Sequence, residues 1–212
     1  MPIDEIVLRA NGGRGLRYST PLIDNIGVLS TGKQFTGAYD KHILEDAWTV
    51  GGNITYYMPF GASSNTYISF DYFRTQFAQQ MVVDYEYSYD YNKIHFYPLN
   101  NNQSYTDNFQ IDFSVDPVER FNITATFRYT NAKIELDGKG LVEKPMTSQY
   151  KGVLNLQYAT NLNRWIFDFT ASVNGPCRVY EFMKGMDGIV ERNKRYYSPV
   201  YPLLYAQITR RF

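Results

Sequence analysis

The stretch FNITATFRYT, residues 121 to 130, alternates apolar and polar side chains without interruption. One set of alternate positions holds Phe, Ile, Ala, Phe and Tyr, and the other holds Asn, Thr, Thr, Arg and Thr. Successive side chains of a strand point to opposite faces of its sheet, so this period of two predicts a strand with one apolar and one polar face. Such an apolar face needs a cover, which is either a protein core or lipid.

The same alternation recurs along the chain. It is clear in residues 47–58, 66–73, 108–116, 150–158 and 165–174, and weaker in residues 5–17 and 201–212. The 20 Tyr and 14 Phe residues add to this pattern, because aromatic side chains favour pleated strands. The sequence therefore predicts an all-β protein of about eight strands, in one domain that covers residues 1–212.

The connections between these predicted strands alternate between short and long. The short ones are residues 59–65, 116–120 and 159–164, and the long ones are residues 18–46, 87–107, 131–149 and 175–201. In an up-and-down antiparallel sheet, this alternation places every short turn at one end and every long loop at the other. Outer-membrane barrels are organised in this way, with short periplasmic turns and long extracellular loops. We therefore predict a segment of an antiparallel up-and-down transmembrane β-barrel.

Three predicted strands carry an aromatic residue at each end of the apolar face, eight residues apart. The pairs are Trp48 and Tyr56, Phe121 and Tyr129, and Tyr150 and Tyr158. Eight residues span about 26 Å, which a strand tilt of about 35–45° projects to roughly 19–22 Å, close to the apolar band of a transmembrane barrel. We predict that these six residues form the aromatic girdles of a lipid-covered face. A soluble sheet covered by another domain is the alternative.

Composition and motifs disfavour several other classes of protein. The 21 basic and 21 acidic residues balance, so no charge pattern favours a nucleic-acid partner. No run of 18 apolar residues predicts a transmembrane helix, and the N-terminal MPIDEIVLRA lacks the features of a secretory signal peptide. His42, His95 and the single Cys177 have no catalytic or metal-binding spacing. We therefore predict no enzyme activity, no cofactor and no metal site.

A candidate ligand-contact loop lies in the second long connection. Its tyrosines stand among Asp, Asn and Lys, and rigid amphipathic rings suit ligand recognition. The candidate contact residues are Tyr85, Tyr87, Tyr89, Tyr91, His95 and Tyr97. The last long connection, which includes Arg178, is locally basic and is a second candidate, for an anionic substrate or lipopolysaccharide. The alternative, which the sequence favours, is an ordinary solvated loop.

Six longer stretches also carry a family resemblance. They are NGGRGLRYSTPLIDNIGVL (11–29), WTVGGNITYYMPFG (48–61), the region from QMVVDYEYS to IHFY (80–97), NNQSYTDNFQIDFSVDPVERFNITATFRYT (101–130), EKPMTSQYKGVLNLQYATNLNRWIFDFTASVNGPCR (143–178) and SPVYPLLYAQITRRF (198–212). In order along nearly the whole chain, they resemble the C-terminal part of the barrel of a TonB-dependent outer-membrane receptor of the Bacteroidetes type.

This resemblance implies a function and a set of partners. It implies uptake of a scarce nutrient across the outer membrane, contact with outer-membrane lipid, and coupling to the TonB complex through a plug domain. The chain resembles a fragment of such a barrel, without the plug, the first strands and the last hairpin. The alternatives are a small closed eight-stranded outer-membrane barrel with a structural or adhesin role, and a soluble β-sheet binding module.

Overall fold

The structure, a computed structural model, describes residues 5–61, 66–86, 92–99, 103–192 and 194–210. Its strands are β1 (Ile6–Ser19), β2 (Gln34–Gly37), β3 (Ile43–Tyr57), β4 (Tyr67–Asp84), β5 (Lys93–Leu99), β6 (Tyr105–Val118), β7 (Phe121–Leu136), β8 (Gly140–Glu143), β9 (Tyr150–Ala159), β10 (Trp165–Asn174), β11 (Val190–Arg192), β12 (Arg195–Tyr197) and β13 (Tyr201–Arg210). The helical segments are α1 (Pro21–Asp24), α2 (Ile26–Leu29) and two 3-10 turns, Asn161–Asn163 and Glu181–Met183. Within the described ranges, no helix is long and apolar enough to cross a bilayer.

Eight of these strands form one antiparallel path in chain order, β1-β3-β4-β6-β7-β9-β10-β13. They coincide with the eight predicted strands, so the predicted all-β class and up-and-down order are confirmed. β4 and β7 extend further than predicted, to Asp84 and Leu136. Residues 74–80, RTQFAQQ, do not keep a period of two, so the second half of β4 gives no strand signal. The five short strands in the long connections were not predicted.

The two ends of the sheet differ as the connection lengths predicted. The short connections β3–β4, β6–β7 and β9–β10 all lie at one end, here called the turn end; Val118 pairs with Phe121 across the tightest of them. The long connections lie at the opposite end, here called the loop end. Three short strands add pairings there, because β5 pairs in parallel with β2 and antiparallel with β4, and β8 pairs with β7.

One face of the sheet, here called the apolar face, is continuous across all eight strands. One row of cross-strand neighbours on it is Ile6, Tyr56, Ile68, Phe113, Ala125, Leu154, Ala171 and Leu204. Its side chains are far more exposed than those of a protein core: Leu8 is 70% exposed, Ile54 51% and Leu204 70%. No described part of the chain covers this face.

The buried core lies at the loop end instead. Ile94 and Phe96 of β5 are buried under one group of side chains, formed by Phe35, Met81, Val83 and Tyr85. On the other side of β4 and β5, Val82, Leu136 and Val142 form a second buried cluster. The β2–β5–β4 sheet is thus a small packed module that is attached to the loop end of the large sheet.

A close approach of backbone and side chain makes Gly51 of β3 intolerant of a larger residue. A Cβ atom at Gly51 would collide with the ring of Phe73 and the carbonyl oxygen of Tyr72. We expect Gly51→Ala to lower the free energy of unfolding by about 1–3 kcal/mol, the usual cost of overpacking. Gly13→Ala on the neighbouring strand is the control, since a Cβ there meets nothing within 4 Å. Urea unfolding in detergent measures both variants, and equal losses would contradict the account.

Candidate functional site

The predicted girdle residues all lie on the apolar face. Phe121 pairs directly with Tyr158 at the turn end, and Tyr129 pairs with Tyr150 toward the loop end. Trp48 and Tyr56 lie on the same face of β3. The three pairs therefore mark the two ends of one stretch of apolar surface. Trp48 and Tyr56 on β3 are displaced along the strand direction relative to the pairs on β7 and β9.

This difference in level is regular. Through β4 and β6, Tyr56 aligns with Ala125, which lies four residues to the loop side of Phe121. The loopward aromatics, Trp48 and Tyr129, show the same displacement of four residues. The aromatics of β7 and β9 pair directly, so no displacement is added between these two strands. The aromatics are therefore displaced by four residues over the four strand steps from β3 to β9. A line through either set of aromatics consequently crosses the strands obliquely.

Charged pairs border the apolar face at the loop end. Arg14 forms an ion pair with Asp46 at 2.8 Å, and its guanidinium lies 5.4 Å from the centre of the Trp48 ring. Arg74 pairs with Asp107 at 3.3 Å. At the turn end, the guanidinium of Arg210 lies 5.2 Å from the centre of the Trp165 ring. Each of these three arginines thus stands beside an aromatic ring, since Arg74 lies 4.4 Å from the centre of the Tyr105 ring.

The opposite face of the sheet is polar and internally hydrogen-bonded. Amide and hydroxyl groups donate to carboxylates of neighbouring strands, in the pairs Asn53–Asp71 at 2.7 Å, Thr126–Asp112 at 2.6 Å and Asn155–Asp168 at 3.0 Å. Arg128 donates to Gln110 at 2.8 Å. This face can therefore lie against water without a further protein layer.

The predicted ligand-contact residues are only partly brought together. Tyr87, Tyr89 and Tyr91 lie outside the described residues. His95 and Tyr97 belong to β5 rather than to an irregular loop, and their rings stand 5.6 Å apart. Both side chains have structural partners. The His95 ring lies 2.9 Å from the hydroxyl of Thr36, and the hydroxyl of Tyr97 accepts the backbone amide of Asp137 at 2.9 Å.

Tyr85 does line a cavity of about 370 Å³ at the loop end. The other lining residues include Gln80, Met81, Val83, Asp84, Glu86 and Tyr180. The rings of Tyr85 and Tyr180 stand 5.0 Å apart, and burial raises the pKa of Tyr180 to about 12, so its hydroxyl is neutral at physiological pH. A pocket of this size with a few polar groups is a general candidate for ligand binding. Sequence reasoning missed it, because Tyr180 comes from a distant loop.

A buried cluster of side-chain ion pairs stabilises the wall of the cavity. Glu86 is 1% exposed and accepts from Arg178 at 2.5 Å and from Lys139 at 3.3 Å; Lys139 also pairs with Glu181. Arg178 is 3% exposed, so its predicted role in a basic surface loop was wrong. Its charge is neutralised inside the protein, because Glu86 lies next to it at the end of β4.

The other polar residues singled out in the sequence lie apart from this cavity. His42 is exposed, with its ring 3.2 Å from the carbonyl oxygen of Ser19. Cys177 is a free thiol, 3.3 Å from the hydroxyl of Ser198. Among the described residues, no group of His, Cys, Asp and Glu side chains has a metal-binding arrangement.

Asp84 gives the cavity a pH-dependent effect on stability. Burial raises the pKa of Asp84, as does the nearby Glu86, while the amide of Glu86, Lys139 and His95 lower it. The native carboxyl therefore holds its proton to higher pH than in the unfolded chain, and stability falls as pH rises above the ordinary Asp pKa of 3.8. We expect the free energy of unfolding to fall less between pH 4 and pH 8 in Asp84→Asn than in the parent chain.

Urea unfolding at both pH values measures this difference. The exposed Asp187 supplies the matched control, since Asp187→Asn removes the same charge at the protein surface. Identical pH dependence in the parent chain and Asp84→Asn would contradict the assignment.

Comparison of the chain with family models, with curated proteins and with solved structures found no match. Function must therefore be inferred from this geometry.

Proposed function

We propose that this chain is part of the wall of an outer-membrane β-barrel, with its apolar face against lipid and its polar face toward the lumen. The observation that carries the proposal is the exposed apolar face, continuous over eight antiparallel strands. A water-soluble protein seldom exposes contiguous apolar patches larger than a few hundred Å², because such surface drives association. Lipid is a cover that needs no further part of the chain.

The oblique aromatic lines support the same proposal. Four residues at about 3.3 Å each, over four strand spacings of about 4.8 Å, correspond to an angle of about 35° between those lines and the direction perpendicular to the strands. If the aromatics follow the membrane interface, the strands tilt by the same angle from the membrane normal. Strands of transmembrane barrels tilt by about 35–45°. If the six aromatics were placed by chance on a soluble sheet, the angle of their lines would have no reason to match the strand tilt of a transmembrane barrel.

The borders of the face fit this orientation. Arg and Trp side chains suit a membrane interface, since they combine apolar surface with a group that needs water or an ion partner. Arg14 lies beside Trp48 toward the loop end of the apolar face, and Arg210 lies beside Trp165 at its turn end. A charge on the lipid face costs least near the interface.

Within an outer-membrane barrel, the role we propose is transport. By its resemblance to TonB-dependent receptors, the chain contributes barrel wall and surface loops to a receptor that imports a scarce nutrient, with gating supplied by a plug domain coupled to TonB. A small closed barrel is the second candidate, since eight strands suffice to close around side chains. Both readings predict no catalysis.

Insertion into vesicles tests the shared part of these proposals. The chain is diluted from urea into phosphatidylcholine vesicles, and the fluorescence of Trp48 and Trp165 is measured with and without brominated lipid. We expect β-sheet circular dichroism and strong quenching of both tryptophans. A folded monomer in plain buffer, with no quenching by lipid, would overturn the proposal.

The DNA that flanks the reading frame distinguishes the two candidates. Upstream sequence that encodes a plug domain, with further strands downstream, supports the transporter. A signal peptide alone upstream, with a stop codon after residue 212, supports the small barrel.

A further inference from the structure

The cavity of about 370 Å³ at the loop end is enclosed by segments that are distant in the chain. Its walls come from the end of β4, from Ile134 and Leu136 of β7, from Lys144 and Pro145 directly after β8, and from Tyr180 of the last long connection. Small-molecule sites have volumes of about 300–1,000 Å³, and this cavity lies near the lower limit. Its size therefore suits a compact ligand.

Asp84 supplies this cavity with an acceptor that no protein group uses. Its side chain is 2% exposed, and one carboxylate oxygen accepts the backbone amide of Glu86 at 2.7 Å. The other oxygen, Oδ2, is buried and has no hydrogen-bond partner. A buried polar atom without a partner carries a substantial free-energy cost, which a donor on a ligand would relieve. An ammonium group is the strongest such donor, because its hydrogen bond to a carboxylate is charge-assisted.

Two donors line the same cavity. Nε2 of Gln80 is buried and has no hydrogen-bond partner. Lys144 also lines the cavity, and none of the ion pairs among the described residues includes it. An acceptor on a ligand would satisfy both groups. A carboxylate suits them best, because it offers two oxygens and a negative charge to the ammonium of Lys144.

The remaining acidic group of the lining does not change this balance of charge. Glu86 lines the cavity, but its carboxylate is already neutralised by Arg178 and Lys139. The charges left for a ligand are therefore one carboxylate, of Asp84, and one ammonium, of Lys144. A ligand that complements both is a zwitterion, with an ammonium group and a carboxylate of its own.

The rest of the lining is largely apolar. The aliphatic lining residues are Met81, Val83, Ile134, Leu136 and Pro145. The rings of Tyr85 and Tyr180 add an aromatic wall, with their centres 5.0 Å apart and their planes at 44°. Aromatic rings prefer offset or tilted contacts with a further ring, so this wall suits an aromatic group. The ligand therefore carries an apolar group beside its two charges.

We propose that this cavity binds a free α-amino acid with an apolar side chain. Its ammonium group donates to Oδ2 of Asp84, and its carboxylate accepts from Nε2 of Gln80 and Nζ of Lys144. Its side chain lies against the apolar lining. The proposal goes beyond the transport role and does not rest on it, because the cavity lies at the loop end, apart from the apolar face.

Isothermal titration calorimetry of L-phenylalanine into the full chain, folded in detergent micelles at pH 7, tests the proposal. We expect saturable binding with one site per chain. Asp84→Asn should weaken binding by about tenfold, a difference of about 1.4 kcal/mol, since it replaces the carboxylate with an uncharged group of the same shape. Asp187→Asn, the charge-matched control, should leave the affinity unchanged. Circular dichroism checks that both variants fold.

Two analogues test each charge of the ligand on the parent chain, without any substitution. 3-Phenylpropionate lacks the ammonium group and 2-phenylethylamine lacks the carboxylate, and heats of titration into protein-free micelles are subtracted. We expect each analogue to bind at least tenfold more weakly than L-phenylalanine. Lys144→Gln should weaken the binding of L-phenylalanine but not that of 2-phenylethylamine.

Three results would overturn the proposal. The first is an affinity for either analogue equal to that for L-phenylalanine, since recognition would then not require both charges. The second is an unchanged affinity for L-phenylalanine in both Asp84→Asn and Lys144→Gln, which would place binding elsewhere. The third is no saturable binding of L-phenylalanine to the folded chain.

Discussion

Leu154→Arg is expected to lower the free energy of unfolding of the vesicle-inserted chain by about 2–4 kcal/mol, the cost of a basic side chain near the midplane of a membrane barrel. Leu154 lies midway between Tyr150 and Tyr158 on the apolar face of β9, and its side chain is 39% exposed. In lipid, an arginine at this position must lose most of its hydration. Urea titration of the vesicle-inserted chain, followed by tryptophan fluorescence, measures the effect.

Gln157→Arg is the matched control on the same strand. Gln157 lies on the polar face, opposite Asn122 and Asp168, and is exposed. We expect this variant to fold with almost unchanged free energy, because its side chain stays in water. If the apolar face were an ordinary solvent-exposed surface, both substitutions would have the same small effect, and that result would refute the lipid assignment.

Glu86→Ala is expected to destabilise the loop-end module by about 3–5 kcal/mol, since removal of one partner from a buried ion pair leaves the other charge uncompensated. Glu86 also accepts the backbone amide of Glu181 at 2.9 Å. Its loss would therefore release the last long connection from the end of β4. Hydrogen exchange at the amides of β5 measures the local stability.

Arg17→Ala provides the comparison for this prediction. Arg17 pairs with Glu45 at 2.7 Å, but its side chain is 63% exposed, and exposed ion pairs contribute about 0–1 kcal/mol. The two variants should therefore differ several-fold in effect. A loss for Glu86→Ala no larger than that for Arg17→Ala would show that the buried cluster does not hold the module together.

The strands of the large sheet could be predicted because one physical rule governs them. Each separates an apolar from a polar face, so a period of two persists along segments such as residues 121–130 and 165–174. The short turns add a second local signal, because they are rich in Gly, Asn, Asp and Pro. Register could not be read from any single strand, yet the apolar faces align, since a slip of one residue would turn a strand over.

The loop end could not be predicted, because its contacts join distant parts of the chain. Glu86 and Arg178 are 92 residues apart, and the sequence around neither residue has a pattern that indicates a buried ion pair. β5 pairs in parallel with β2, a contact that no turn signal precedes. The candidate cavity depends on the position of Tyr180 over Tyr85, and no repeat or motif in the sequence relates those two residues.

The central claim, that the apolar face contacts lipid, is tested most directly by spin labels placed one at a time on β9. Cys177, the single cysteine, is first replaced by serine, and each residue from 150 to 158 is then replaced by a labelled cysteine in the vesicle-inserted chain. We predict that labels at even positions are accessible to oxygen in the bilayer, and that labels at odd positions are accessible to a water-soluble nickel complex. Accessibility to nickel at every position, without a period of two, would contradict the claim.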